Sequence, residues 1–299
     1  MRGSVAGRAG KLAAGNAGVG AARHRTVLFA VPDLDEPYFA ELTALVVRRA
    51  EEYGLSLVIF QTWGEHEREV NAANGVGVPI TDGLLHIPRS LSVADLTRRA
   101  SPGPLVLLGE HIDSSPFAHV TIDNHAATAA ATELLLKRGC TRPAMIGPRQ
   151  PPSDASNRRF AGYRSMLLRR GVLFDETLTG GVGAFTPQEG YAATARLIDD
   201  GAVFDGVVCS NDSVAFGVLS ALASRGISVP GDVRVIGMDG VSMGAFSVPS
   251  LSTVEPQKDL MVSYALSLLN RQMTTAPSRD LPVEQVTVPF SVVERASTA

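Results

Sequence analysis

The chain has 299 residues and a formal net charge of −3, and 45% of its residues are hydrophobic. This length suggests about two domains of ordinary size, and the hydrophobic fraction argues against an intrinsically disordered chain. The near-neutral charge excludes a protein that binds polyanions with its whole surface. No apolar run approaches the ~18 residues that a membrane span requires, so no membrane partner is expected.

The cysteines and the N-terminal segment both bear on where the protein acts. Cys140 and Cys209 do not make a disulfide framework and favour a reducing cytoplasm as the location. Residues 1–25 are rich in glycine and alanine, are basic and contain no acidic residue. They predict a flexible basic tail without a role in the fold. A poor secretory signal and the remnant of a DNA-contacting or linker region are the alternatives.

Short apolar runs rich in β-branched residues predict strands at regular intervals. In the first half they lie at 26–31, 55–60, 82–87, 104–109 and 119–123, with helical patterns at 38–54 and 127–139. The second half repeats the scheme, with strands at 142–147, 204–210 and 233–238 and helices near 157–171, 187–200 and 213–225. Strands alternating with helices predict parallel sheets covered by helices. The chain is too long for one such sheet, so the prediction is two α/β lobes.

The stretch "VVCSNDSVAFG" at 207–217 places Asn211 and Asp212 between a predicted strand and a predicted helix. Ligands of open parallel sheets bind at the carboxyl ends of the strands, which favours a binding role for this pair. Capping of the helix by one of the two side chains explains the pattern equally well. In "GMDG" at 237–240, Asp239 occupies a second strand end of the same kind.

Four further side chains are candidates for binding a small molecule. Arg159, in "NRRFAGY", could offer a bidentate donor fork to a carboxylate or to neighbouring hydroxyls, although a surface arginine is the commoner outcome. Tyr38 and Phe39 begin the first helix, and Phe185 lies in a loop before another. These rings could stack on a sugar or a base, or could belong to the core.

Motifs that suggest catalysis are incomplete. "GVSMG" at 240–244 fits the nucleophile-elbow pattern, but that site requires a later histidine and the last one here is His125. The six histidines lack the spacing of a zinc helix. "GGVG" at 180–183 lacks the full dinucleotide fingerprint and is predicted to be a turn. We therefore expect no enzyme, no metal site and no cofactor.

Six longer stretches carry a resemblance to a known family. They are "VTIDNHAA" (120–127), "ELLLKRGCTRPAMIGP" (133–148), "RFAGYRSML" (159–167), "CSNDSVAFGVLSALASRGISVPGDVRVIGMDG" (209–240), "PSLSTVEP" (249–256) and "ERAST" (294–298). Together they make residues 26–299 resemble the effector-binding core of the LacI/GalR transcription regulators, which shares its fold with periplasmic sugar-binding proteins.

The resemblance implies a type I periplasmic-binding-protein architecture, in which two Rossmann-like lobes are joined by three crossing strands. The lobes would comprise 26–138 with 255–281, and 139–254 with 282–299. A small effector (a sugar, a polyol or a nucleobase-like molecule) would bind between them. Matched to the family's motifs, the effector contacts would be Arg159, Phe185, Asn211, Asp239, Tyr38 and Phe39.

Some residues depart from the family pattern. Ala127 and Gly240 replace a frequent glycine and a frequent aspartate, and Pro256 stands where a glutamine often lies, which puts a polar contact in doubt. Residues 1–25 cannot hold the family's helix-turn-helix headpiece of about sixty residues, so DNA contact is expected only through a headpiece outside this chain.

The resemblance implies a ligand-sensing domain that acts in the cytoplasm as a homodimer and transmits hinge closure to DNA affinity. The alternative is an exported solute-binding protein of a sugar transporter, which shares the fold and the cleft. The stretch "VPGDVRVIGMDG" at 229–240 resembles the regulators more closely and so favours that function.

Overall fold

The computed structural model describes residues 25–100, 103–109, 112, 115–149, 154–275 and 283–299. The predicted tail lies outside the described residues except for Arg25. The helices and strands are, in chain order, β1 Arg25–Val31, α1 Pro37–Glu52, β2 Leu55–Gln61, α2 His66–Asn74, β3 Gly83–His86, α3 Val93–Thr97, β4 Leu105–Leu108, β5 Ala118–Ile122, α4 Asn124–Lys137, β6 Pro143–Arg149, α5 Asp154–Arg169, β7 Thr179–Val182, α6 Pro187–Asp199, β8 Gly206–Cys209, α7 Asp212–Ser224, β9 Arg234–Met238, β10 Ser252–Pro256, α8 Lys258–Thr274, β11 Gln285–Val288 and β12 Phe290–Val293.

The strands form two six-stranded sheets, which confirms the predicted two-lobed α/β fold. The N-terminal sheet has the order β11-β5-β4-β3-β1-β2, and the C-terminal sheet has the order β12-β10-β9-β8-β6-β7. Neighbouring strands run parallel, except that β12 pairs with β10 in the antiparallel sense. Buried apolar side chains cover both faces of each sheet, as a parallel sheet between two helical layers requires.

Within the described residues the chain passes from one sheet to the other three times. It crosses between β5 and α4, between β10 and α8, and between β11 and β12. The three crossings lie next to the carboxyl ends of β5, β10 and β11. The two lobes are therefore hinged at the same edge at which ligands of parallel sheets bind.

Two of the predicted lobe boundaries need correction. Helix α4 packs on α5 and on strands of the C-terminal sheet, where its side chains Ala131, Leu134 and Leu135 are buried, so the first lobe ends near Ile122 and not at 138. Strand β11 pairs with β5, so residues 285–288 belong to the N-terminal lobe, whereas the predicted boundary places 282–299 in the other lobe. Both errors arise because short crossing segments carry no periodicity of their own.

The glycine-rich stretch "GGVG" at 180–183 predicts a turn, and this prediction is wrong for residues 180–182. Residues Thr179–Val182 form β7, the edge strand that pairs with β6. A Cβ on Gly180 would lie 2.5 Å from Ile146 Cδ1 and 3.3 Å from the Ala193 Cβ. Glycine therefore lets the edge strand pack tightly between its neighbour and α6.

Helices α6 and α7 are in such close contact that a single methyl group should destabilise the fold. A Cβ on Gly217 would lie 2.0 Å from the Pro187 carbonyl oxygen and 2.6 Å from the Tyr191 amide nitrogen. We expect Gly217→Ala to lower the free energy of unfolding by roughly 2 kcal/mol, because backbone atoms cannot move aside as side chains do. Urea denaturation measures this loss. Gly183→Ala is the matched control, since its Cβ would meet its first neighbour only at 3.9 Å; equal losses would contradict the argument.

In the part of the chain that the structure describes, no helix has the length and apolarity needed to cross a bilayer.

Candidate functional site

A single cleft between the two sheets brings together all six side chains predicted to contact a ligand. Its lining includes Tyr38 and Phe39 from the N-terminal lobe, and Arg159, Phe185, Asn211 and Asp239 from the C-terminal lobe. Its empty space is about 850 Å³, counting the part open to solvent. The carboxyl ends of both sheets border it, which is the position that the strand topology favours for a ligand.

Arg159 is buried in the wall of the cleft, and its guanidinium is held by acceptors from different elements. Its Nε donates to Asn124 Oδ1 over 2.7 Å, and its Nη1 donates to the Ser210 carbonyl oxygen. Its Nη2 lies 4.0 Å from Asp239 Oδ1. The arginine is therefore fixed in orientation and is not a solvated surface residue.

Asn211 performs both of the roles between which the sequence left a choice. It is the N-cap of α7, where its Oδ1 accepts a hydrogen bond from the Val214 amide over 2.8 Å. Its Nδ2 points into the cleft, 3.4 Å from the Phe185 carbonyl oxygen and 3.5 Å from Glu36 Oε1. The helix cap thus fixes the amide that faces the ligand space.

The neighbouring Asp212 has a different task. Its buried carboxyl group accepts hydrogen bonds from Thr253 Oγ1 over 2.7 Å and from the Val241 amide over 2.8 Å. Burial raises the pKa of Asp212 to about 7, against the lowering effect of these two hydrogen bonds. Asp212 thereby ties the beginning of α7 to the loop that carries Asp239.

Asp239 follows β9 and is strained as well as buried. Its φ of 114° lies in the region that favours glycine, which is a conformation found preferentially at functional sites. Burial raises the pKa of its carboxyl group well above the usual range, although the charge of Arg159 works in the opposite direction. The charge of Arg159 thus offsets only part of the effect of burial on this carboxyl group. A hydrogen-bond donor supplied by a ligand would stabilise the charged form further.

Aromatic rings supply flat apolar surface on both walls. Tyr38 and Phe39 meet edge to face with ring centroids 5.3 Å apart, and the Arg89 guanidinium lies 5.0 Å from the Phe39 ring centroid. Phe185 is half-buried and also contacts the core beneath the C-terminal sheet. Trp63, the one tryptophan of the chain, is more than half exposed and is not among the residues that line the cleft.

Glu36 is a cleft residue that the sequence did not indicate. It lies in the loop before α1, and its Oε1 accepts a hydrogen bond from Ser213 Oγ of the opposite lobe over 3.1 Å. Burial raises the pKa of Glu36, and the Ser213 hydrogen bond and the charge of Arg89 act against this. No spacing rule distinguishes it from other loop glutamates, so only the fold reveals it.

Lys258 is a second residue that the sequence did not indicate, and it joins the lobes beside the cleft. Its buried ammonium group donates to Glu41 Oε2 over 2.7 Å, to the Gly240 carbonyl over 2.8 Å and to the Asp239 carbonyl over 3.1 Å. Burial acts to raise the pKa of Glu41, but hydrogen bonds from Lys258 and Ser242 outweigh it and lower that pKa. The three donors of the ammonium group are all used.

The cleft combines carboxyl acceptors, amide and guanidinium donors, and flat rings. This is the chemistry that binds a ring carrying several hydroxyl groups, with the rings covering its apolar face. The described residues contain no cluster of three or more side chains suited to holding a metal ion.

Comparisons with known proteins identify the family. Residues 132–298 match the model of a periplasmic binding protein-like domain. The chain is 35% identical to a LacI-family regulator from Sanguibacter keddieii, with a TM-score of 0.84 over 92% of this chain and 99% of that one. It is 31% identical to the HTH-type transcriptional regulator AscG of Escherichia coli over 73% of its own length, and it spans 65% of AscG. A transcriptional regulator in complex with cellobiose, CelR, is 27% identical with a TM-score of 0.76, over 92% of this chain and 85% of CelR.

The fold, the cleft and these likenesses agree, and the chain belongs to the LacI/GalR family of transcriptional regulators, of which it contains the effector-binding region with a periplasmic-binding-protein-like fold.

Proposed function

We propose that this chain senses a sugar or related polyol bound in the cleft and that the resulting hinge closure alters the DNA affinity of a regulator. The observation that carries the proposal is the convergence of Arg159, Asn211 and Asp239 around one space that Phe185 also lines. These groups would bind the hydroxyls while the ring covers the apolar face of the sugar, and nothing would be chemically transformed. Relatives named as regulators, and the cellobiose complex of CelR, support the same function.

The hinge gives the proposal its mechanism. Each lobe offers cleft groups to the ligand, so a bound sugar would favour the arrangement in which the lobes are close together. Hydrogen bonds such as that from Ser213 to Glu36 already cross between the lobes. Moving a two-state equilibrium from 1:99 to 99:1 takes about 5.5 kcal/mol of differential binding. Several hydroxyl hydrogen bonds at about 1 kcal/mol each, together with one stacked ring, can supply this.

Calorimetric titration of the chain tests the proposal. The panel comprises D-ribose, D-glucose, D-galactose, cellobiose and adenosine, so that pentose, hexose, disaccharide and nucleoside ligands are all represented. We expect at least one sugar to bind, and Asn211→Ala to weaken that binding by about tenfold through loss of one hydrogen bond. Absence of binding across the panel, or binding that Asn211→Ala leaves unchanged, would reject the site.

The raised pKa values of Glu36 and Asp239 predict that sugar affinity increases with pH. A sugar hydroxyl donates to the charged carboxylate, so at low pH binding must first remove a proton from the carboxyl group. Because the pKa values of both groups are raised, we expect the dissociation constant to fall as the pH is raised from 5 to 8. Calorimetry at several pH values measures the profile. Asp239→Asn, which cannot titrate at this position, should reduce the pH dependence to the part that Glu36 contributes; an affinity that decreases as pH rises would contradict the argument.

We also propose that the regulator is a cytoplasmic homodimer. Two exposed features are of the kind that joins identical chains: the apolar turn with Met243, Phe246 and Val248, and the open edge of β2 with Ile59. Sedimentation equilibrium tests the assembly, and Phe246→Ser should shift it towards monomer. Val203→Ser, at an exposed valine outside these two features, should leave it unchanged.

A further inference from the structure

Asn124 lies where the chain first crosses from one lobe to the other. It is the first residue of α4, two positions after the end of β5, and its side chain is fully buried. Its Oδ1 accepts the hydrogen bond from Arg159 Nε over 2.7 Å. The side chain does not cap α4, because Asp123 does so by accepting from the Ala126 amide over 2.9 Å. The Asn124 side chain therefore serves to accept the hydrogen bond from Arg159.

The contact fixes the direction in which Arg159 points. A guanidinium group is planar, and its five N–H donors form a rigid fork, so two anchored nitrogens determine the position of the third. Asn124 anchors Nε and the Ser210 carbonyl anchors Nη1. These anchors direct Nη2 towards Asp239, at a distance of 4.0 Å from its Oδ1.

We propose that Asn124 is a positioning residue, which aims Arg159 into the cleft and links it to the first hinge crossing. The inference rests on the proposed function, in which Arg159 contacts the effector. The neutral amide of Asn124 holds the Arg159 guanidinium group without neutralising its positive charge. An aspartate at this position would form an ion pair with Arg159 and so weaken its attraction to Asp239 and to the ligand. Asn124 Nδ2 is buried and has no hydrogen-bond partner among the described residues, so the side chain acts there as an acceptor, through the bond from Arg159 Nε to Oδ1.

The position of Asn124 also couples the ligand to the hinge. The segment between Ile122 and Asn124 must change its backbone angles if the lobes rotate about the first crossing. A ligand that moves or immobilises Arg159 acts on that segment through one hydrogen bond. The effector-contacting arginine is therefore tied directly to a part of the chain that moves.

Nuclear magnetic resonance of the arginine Nε–H groups tests the inference on the whole chain without an effector. The Arg159 cross-peak is assigned by its loss in Arg159→Lys, and its exchange with water is measured. We expect Asn124→Ala to make this exchange at least tenfold faster, and Asn124→Asp, which keeps an acceptor in the same place, to leave the group protected. Thr128→Val is the matched control: Thr128 is a buried residue on the same helix whose hydroxyl has no partner among the described residues.

An unchanged Arg159 signal in Asn124→Ala, or an equal change in Thr128→Val, would overturn the inference. If Asn124→Ala does not fold, Asn124→Leu takes its place, because leucine fills a similar volume and offers no acceptor to Arg159 Nε. Faster exchange is again expected, and unchanged protection would overturn the inference. None of these outcomes depends on which sugar binds. Failure of the positioning role is therefore distinguishable from failure of the proposed function, which calorimetry judges.

Discussion

Replacing Arg159 by alanine is expected to weaken sugar binding by about 100-fold, or ~3 kcal/mol. The guanidinium would be lost as a charged donor to the ligand, and Asp239 would lose the positive charge that lies 4.0 Å from it. A buried carboxyl group left without that charge would tend to take up a proton, and the neutral group would accept a more weakly held hydrogen bond from the ligand. Calorimetric titration of the variant with the sugar that binds the unaltered chain measures the effect.

Arg158→Ala is the matched control for this experiment. It removes the same type of side chain from the adjacent position on α5, but Arg158 is exposed and does not line the cleft. Its affinity for the sugar should change less than twofold. Equal losses in the two variants would show that net charge, and not the geometry of Arg159, determines binding.

Replacing Lys258 by methionine is expected to lower the free energy of unfolding by about 3 kcal/mol. The ammonium group joins Glu41 of the N-terminal lobe to two carbonyl oxygens of the C-terminal lobe. Methionine fills a similar volume but leaves all three acceptors without their donor. Because two of these acceptors belong to Asp239 and Gly240, the loop that carries the effector contact should also lose protection in amide hydrogen exchange. Urea denaturation and hydrogen exchange measure the two effects.

An exposed ion pair between the same two helices provides the control. Arg49 on α1 donates to Asp259 on α8 over 2.6 Å, and both side chains are partly exposed. Arg49→Met should therefore lower the free energy of unfolding by less than about 1 kcal/mol, because solvent weakens such pairs. A loss as large as that of Lys258→Met would mean that contact between α1 and α8, and not the buried bridge, accounts for the effect.

The sequence was sufficient to predict the architecture. The alternation of apolar strands with helical segments predicted two parallel-sheet lobes, and the strands at 26–31, 204–210 and 233–238 lie within two residues of β1, β8 and β9. Periodicity carries this information because one strand or helix buries one face or stripe at a time. Segments without periodicity are predicted wrongly: glycine favours a turn where β7 forms, and the predicted lobe boundaries place α4 and β11 in the wrong lobe.

The candidate site was predictable only in part. Asn211 and Asp239 directly follow strands, so the rule that ligands bind at carboxyl ends of parallel strands could find them. Arg159 lies in the second turn of α5, and the family resemblance indicated it. Glu36, Asn124 and Lys258 act through partners that are 18 to 217 residues away in sequence. No local sequence pattern predicts such distant contacts. Only the folded structure shows which charged or amide groups are buried.

The central claim is that a sugar binds between the two lobes, and a crystal structure with a bound sugar tests it most directly. The chain would be crystallised with the sugar of highest affinity in the calorimetric panel. The sugar is predicted to lie against Phe185, with hydroxyl groups within hydrogen-bond distance of Arg159, Asn211 and Asp239. A sugar bound elsewhere, such as the surface cavity lined by Leu136 and Tyr163, with the cleft empty of ligand, would contradict the account.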